Sequence, residues 1–217
     1  MPENRSKLGK QQKIMDYIAA HTTPQDERLL QLERSTHLQT LAPQMISGHI
    51  QGRLLSMISR MIGPSTILEI GTFTGYSALC LAEGLAEGGV LHTIEGNREY
   101  QHLIKKAFAD IQPIGKIQVH FGDALDIIPK MTETFDLVFI DAAKQQYVAF
   151  YHAAIDKMKS GGYLLADNVL WSGKVADLAK DEDTKAICAF NSMVQDDPRV
   201  ENLILPVRDG MMICRKR

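Results

Sequence analysis

Residues 66–77, Thr-Ile-Leu-Glu-Ile-Gly-Thr-Phe-Thr-Gly-Tyr-Ser, constrain the fold of this chain more than any other stretch. Ile67, Leu68 and Ile70 make an apolar run of strand length that stops at Gly71. From Gly75 an apolar helical pattern runs through Ala78, Leu79, Leu81, Ala82 and Leu85. Strand, glycine turn and helix in that order form the first unit of an open α/β sheet, whose ligands bind beyond the carboxyl ends of the strands. Gly71 lets a ligand approach the backbone, and the amides opening the following helix attract anionic groups.

The rest of the chain organises around that unit. Residues 1–65 read as a helical cap: a short first helix marked by Ile14, Tyr17 and Ile18, a second with Leu29, Leu30 and Leu32, and a third from about Ile50 to Ile62. Gly63-Pro64 breaks the third before the first strand. From 66 to 217 strands and helices alternate, which predicts a mostly parallel sheet in a single domain. Further strands are expected at Val90–Glu95, Ile117–Gly122, Phe135–Asp141 and Tyr163–Asp167. Helices are expected at Arg98–Ala109, near Leu125–Met131, and from Tyr147 to Met158, closed by Gly161-Gly162. A polar, irregular stretch covers Asn168 to about Asp183 and precedes a helix ending near Val194. Val200–Val207 and Gly210–Arg215 flank an Asp-Gly pair that signals a terminal antiparallel hairpin.

Composition narrows the partners. A formal charge of −2 over 217 residues argues for neither nucleic acid nor an anionic membrane. Cys80, Cys188 and Cys214 are too dispersed for a disulfide framework or a zinc site and read as reduced packing residues. No apolar run approaches the length of a membrane span, and Met1-Pro2-Glu3-Asn4-Arg5 lacks a signal peptide's apolar core, so a cytoplasmic protein is expected.

The turn itself selects its ligand. Its Gly71-x-x-x-Gly75 spacing is not the G-x-G-x-x-G of a pyrophosphate cradle, and Glu69 just before it would repel a pyrophosphate. Glu69 suits a cofactor carrying positive charge, such as the α-amino group of S-adenosylmethionine. Here the sequence resembles the class I S-adenosylmethionine-dependent methyltransferases. An ordinary glycine turn in an α/β protein is the plainer reading.

Acidic residues then recur where strands finish. Glu95 could bind both ribose hydroxyls, of this cofactor or of NAD, or remain a solvated loop residue. Asp123 falls where an adenine edge would lie, with the Ala124 amide beside it, but could equally cap the next helix. Asp141 and the Asp167-Asn168 pair end the fourth and fifth strands, and adjacent strands lie roughly 4.8 Å apart. Two carboxylates that close need a counter-ion or a raised pKa, and two carboxylates with an amide carbonyl suit Mg²⁺ better than zinc. Lys144 follows in the first turn of a helix, where both the dipole and a nearby divalent ion disfavour an ammonium, so it could serve as a base or simply pair with Asp141. Trp171 could wall an aromatic substrate or pack at the base of its loop.

Three segments carry a closer resemblance: Leu68–Ser77, Phe139-Ile140-Asp141-Ala142-Ala143-Lys144, and Asp167-Asn168-Val169-Leu170-Trp171-Ser172-Gly173. They are similar to the cation-dependent O-methyltransferases, the group of caffeoyl-CoA and catechol O-methyltransferases. The ending Asp197–Val200, Leu205–Gly210 and Ile213–Arg215 resembles the caffeoyl-CoA branch, and the resemblance spans roughly residues 25–217. It implies a Rossmann-like methyltransferase fold with seven strands. It also implies Asp141, Asp167 and Asn168 as ligands of a divalent cation (Mg²⁺ preferred, Mn²⁺ or Ca²⁺ open), with Lys144 as general base beside the catalytic Asp141. Glu95 would hold the ribose, Gly71 and Ser77 the methionine portion, and Asp123 and Ala124 the adenine, with Asp141 helping to fix the cofactor. Met45 and Ser47 would close over cofactor and substrate, and a homodimer through the N-terminal helices is implied. The chain departs from the branch at Ala143, where many members carry a second aspartate, and at Gly48-His49-Ile50-Gln51, where proline and acidic residues are usual. The expected reaction is methyl transfer from S-adenosylmethionine to a phenolic oxygen of a vicinal diol. An NAD-linked dehydrogenase and a non-catalytic S-adenosylmethionine-binding protein are the alternatives.

Overall fold

The computed structural model describes residues 2–111, 115–177 and 181–217. Part of the expected irregular stretch, 178–180, and Met1 lie outside them. The helical cap comprises α1 (Pro2–Ala20), α2 (Glu27–Gln39) and α3 (Gly48–Ile62), with a 3₁₀ turn at Pro43–Met45 between the last two. There follow β1 (Thr66–Ile70), α4 (Tyr76–Ala82), β2 (Val90–Glu95), α5 (Gln101–Asp110), β3 (Lys116–Phe121), α6 (Ala124–Ile127) and β4 (Phe135–Ile140). The chain finishes with α7 (Tyr147–Ile155), β5 (Met158–Asp167), α8 (Glu182–Asp196), β6 (Val200–Leu205) and β7 (Met211–Lys216).

The seven strands run in the order β3-β2-β1-β4-β5-β7-β6. β1 to β5 are parallel, and β7 pairs antiparallel with both β5 and β6. The expected mostly parallel sheet with an antiparallel hairpin is therefore what forms, with the last strand inserted inside the penultimate one. After β3 the chain returns to the far side of β1 to lay down β4, so the strand order reverses between β1 and β4. In open α/β sheets that reversal opens the ligand crevice.

Apolar side chains fill both sides of the sheet. On one, Leu68, Ile70, Val138, Ile140 and Leu164 meet Tyr147, Phe150, Tyr151 and Phe190 of α7 and α8. On the other, Ile67, Leu137, Phe139 and Leu165 meet Leu55 of α3 and the wholly buried α4. Strands buried on both faces read as continuous apolar runs, which is why the sequence exposed them.

Three element boundaries differ from expectation. α1 extends over 19 residues rather than forming a short helix. α4 stops at Ala82, short of Leu85. α7 ends at Ile155, and Met158 with Gly161-Gly162 belongs to β5 instead of to the helix and its cap. The cause is a register slip in which Phe135 pairs with Met158 while Leu137 pairs with Tyr163. Gly162 accommodates the slip, because a Cβ there would lie 3.0 Å from the Lys159 carbonyl oxygen and 3.1 Å from that of Asp136.

Candidate active site

The ends of β1, β2 and β4 are locked level by backbone bonds: Gly71 N donates to Ile94 O (3.0 Å) and Asp141 N to Ile70 O (2.9 Å). Gly71 has φ 101°, and a Cβ there would sit 2.0 Å from the Asp141 carbonyl oxygen. Only glycine permits that approach. Above these ends opens a cavity of about 1130 Å³. Its lining includes Met45, Ser47, Gly71, Ser77, Glu95, Asp123, Ala124, Asp141, Lys144, Asp167, Asn168 and Trp171. Every residue expected at the site except Glu69 is thus brought together.

Glu95 is held rigidly at the end of β2. Its Oε2 accepts from Phe73 N (2.7 Å) and its Oε1 from Asn97 N (2.8 Å). Burial raises its pKa against the opposing pull of those amides. Each oxygen keeps a further lone pair for a hydroxyl donor in the cavity. Asp123 plays the capping role that the sequence left open, accepting from Leu125 N at 2.8 Å, and it also borders the cavity.

Glu69 lies behind that lining. It is fully buried beneath the cavity floor, and its Oε2 accepts from Thr93 Oγ1 (2.6 Å). Among the described residues its Oε1 has no partner of good hydrogen-bond geometry, though the Ser77 hydroxyl lies close enough to act on the carboxyl. Burial pushes its pKa from 4.5 up to about 8, against the pull of the Ser77 and Thr93 hydroxyls. Because the folded-state pKa is the higher one, its stabilising contribution is complete below about pH 4.5 and is lost as pH rises through about 8. The unfolding free energy of Glu69→Gln, read from urea titrations, is therefore expected to gain on the wild type as pH rises from 5 to 8, by up to about 1.4 kcal/mol per pH unit. A gap that does not change with pH would show that this carboxyl ionises freely.

Asp141 and Asp167 lie at matching levels on neighbouring strands, one residue beyond the Ile140–Ala166 pair. Asp167 is 3% exposed. Its Oδ2 accepts from Gln51 Nε2 (2.8 Å), and among the described residues its Oδ1 has no partner. Burial first, and the charge of Asp141 second, hold its pKa above the usual carboxylate range. Asn168 follows in the left-handed region (φ 60°), which asparagine tolerates. Lys144 Nζ donates to Asp141 Oδ1 (2.9 Å) and to Tyr147 Oη (2.8 Å). The Tyr147 hydroxyl in turn donates to the Asp167 carbonyl (3.0 Å), and burial keeps it protonated. Among the described residues no three His, Cys, Asp or Glu side chains cluster as metal ligands; Asp141, Asp167 and Asn168 all line the cavity.

Sequence reasoning missed three participants. Tyr147 read as a core residue, Gln51 as a departure from pattern, and Arg208 as part of a turn signal. Helical proximity to Lys144 was the only clue to Tyr147. Among the described residues, the non-glycine positions with positive φ are Phe73, Asn168, Trp171, Ser172 and Arg208, and all but Ser172 line the cavity. Backbone strain collects at functional sites in this way.

A reversed-order sheet with this cavity at its switch point is the architecture of class I methyltransferases. The O-methyltransferase family profile matches residues 19–217. The caffeoyl-CoA O-methyltransferase of Petroselinum crispum is 34% identical over 180 residues, covering 76% of this chain and 74% of that protein. Caffeoyl-CoA O-methyltransferase 2 of Populus trichocarpa is also 34% identical, over 182 residues covering 76% and 72%. Among solved structures, the O-methyltransferase from Bacillus cereus in complex with SAH superposes with a TM-score of 0.88 at 27% identity, covering 94% of this chain and 97% of that one. TomG from Streptomyces achromogenes in complex with SAM gives 0.86 at 28%, covering 94% and 96%. The chain belongs to the O-methyltransferase family and is an S-adenosylmethionine-dependent enzyme of that class.

Proposed function

We propose that this chain transfers the methyl group of S-adenosylmethionine to one hydroxyl of an aromatic vicinal diol, of catechol or caffeoyl type, with a divalent cation held by Asp141, Asp167 and Asn168. The observation that carries this reading is the orphaned Oδ1 of Asp167, buried with no partner beside a second carboxylate. A hard cation matches this oxygen-only donor set and would offset the cost of a buried carboxylate beside a half-buried one. Bound there, it would supply the positive charge that makes a phenol acidic enough to lose its proton.

The chain's own side chains do the rest. Lys144, fixed between Asp141 and Tyr147, receives the phenolic proton at Nζ once it is neutral. Glu95 binds the ribose hydroxyls, Gly71 and Ser77 face the methionine portion, and Asp123 with the Ala124 amide addresses the adenine. Met45 and Ser47 cover donor and acceptor, and Trp171 walls the aromatic ring. Relatives bound to SAH and SAM at 27% and 28% identity support the donor, and caffeoyl-CoA relatives support a diol acceptor. Neither a dehydrogenase nor a non-catalytic protein is favoured by these relatives.

Methyl transfer to a panel of catechols is expected to fall to background in EDTA and to return with Mg²⁺. Turnover that survives complete chelation would remove the cation from the reaction. We also propose a homodimer built on the cap, where Tyr17, Leu38, Leu41, Met57 and Met61 are 61–104% exposed. Light scattering is expected to give twice the 24.2 kDa chain mass, and a monomer at micromolar concentration would refute this.

A further inference from the structure

Arg208 occupies the turn between β6 and β7 with a left-handed backbone (φ 50°). Its Nη1 donates to the carbonyl oxygens of Ile46 (3.2 Å) and Ser47, and to the side-chain Oε1 of Gln51 (2.8 Å). Gln51, on α3, is 1% exposed and donates from Nε2 to Asp167 Oδ2 (2.8 Å). One file of hydrogen bonds therefore joins the terminal hairpin, the cap and the end of β5, linking residues 157 and 116 positions apart. The chemistry at position 51 is specific, because the side chain must accept from a guanidinium on one side and donate to a carboxylate on the other. A carboxamide does both, whereas an acid at 51 could not donate and would face Asp167 with like charge.

We propose that Arg208 and Gln51 are positioning residues for Asp167, fixing its Oδ2 against the cap so that Oδ1 stays turned to the cation position. Without Gln51 the carboxylate is free to rotate, and the buried Oδ2 loses its partner. Through the Ile46 and Ser47 carbonyls, the same guanidinium ties down the strap that carries Met45 and Ser47, both on the cavity wall. This assignment rests on the function proposed above.

Arg208→Gly tests it, because glycine keeps the left-handed backbone while the whole side chain, guanidinium included, is removed. Arg208→Asn, which also tolerates that backbone, is the second variant. Mn²⁺ binding, followed by electron paramagnetic resonance without acceptor, is expected to weaken about tenfold in Arg208→Gly and Gln51→Ala. Affinity for S-adenosylhomocysteine should fall severalfold in the arginine variants, while Tm in Arg208→Gly stays within about 2 °C of the wild type. Arg208→Lys should recover part of the Mn²⁺ affinity. Folded variants that bind Mn²⁺ within a factor of two of the wild type would overturn the positioning role alone. A wild-type protein that methylates catechols yet binds no Mn²⁺ would overturn the cation site, and this role with it.

Discussion

Gly71→Ala is expected to destabilise the protein by about 3 kcal/mol or more and to abolish activity with it. Two costs coincide at this position. The backbone is left-handed at φ 101°, and the new Cβ would lie 2.0 Å from the Asp141 carbonyl oxygen and 2.8 Å from its carbonyl carbon. The obstacle is backbone, so no rotamer change relieves it. Nor can either strand end slide away, because Gly71 N is bonded to Ile94 O and Asp141 N to Ile70 O. Relief requires β1 and β4 to part where the cavity opens. Gly63→Ala is the control: its φ of 61° is also left-handed, but nothing lies within 4 Å of the added methyl. That variant should lose only about 1 kcal/mol. Urea midpoints that fall equally in the two variants would show that backbone conformation, and not the Asp141 contact, makes glycine necessary at 71.

Lys144→Met is expected to lower kcat by about 10²–10⁴-fold, the usual contribution of a positioned acid–base group. Methionine keeps the length of the stem and deletes the ammonium. Asp141 Oδ1 and Tyr147 Oη each lose the partner they hold at 2.9 and 2.8 Å. Glu95 and Asp123, on the far side of the cavity, are untouched, so affinity for S-adenosylhomocysteine should stay within about threefold by the near-additivity of separated sites. Calorimetric titration with S-adenosylhomocysteine and steady-state turnover on one catechol separate the two effects. If kcat is unchanged, Lys144 is only an ion-pair partner of Asp141.

Much of the site could be read from the sequence because strand ends are local features. An apolar run finishes at a glycine or an acid, and topology then delivers every such end to one crevice. Gly71, Glu95, Asp123, Asp141 and Asp167 all follow that logic, and each borders the cavity. Glu69 escapes it. It lies inside β1 rather than at its end, and its carboxyl is buried against Thr93. The Met158–Gly162 segment escapes it too, because a slipped register between β4 and β5 converts what reads as a helix end into strand.

The sequence by itself determined the element order, the glycine turn and the acids at the strand ends, because each is written in a few consecutive residues by periodicity or by backbone freedom. Only the tertiary structure decided that Gln51 would bridge Arg208 to Asp167, that Tyr147 would brace Lys144, and that the Glu69 carboxyl would be buried against Thr93. Those outcomes depend on which distant segments close upon one another and on how far a carboxyl is removed from water, and no local pattern encodes either.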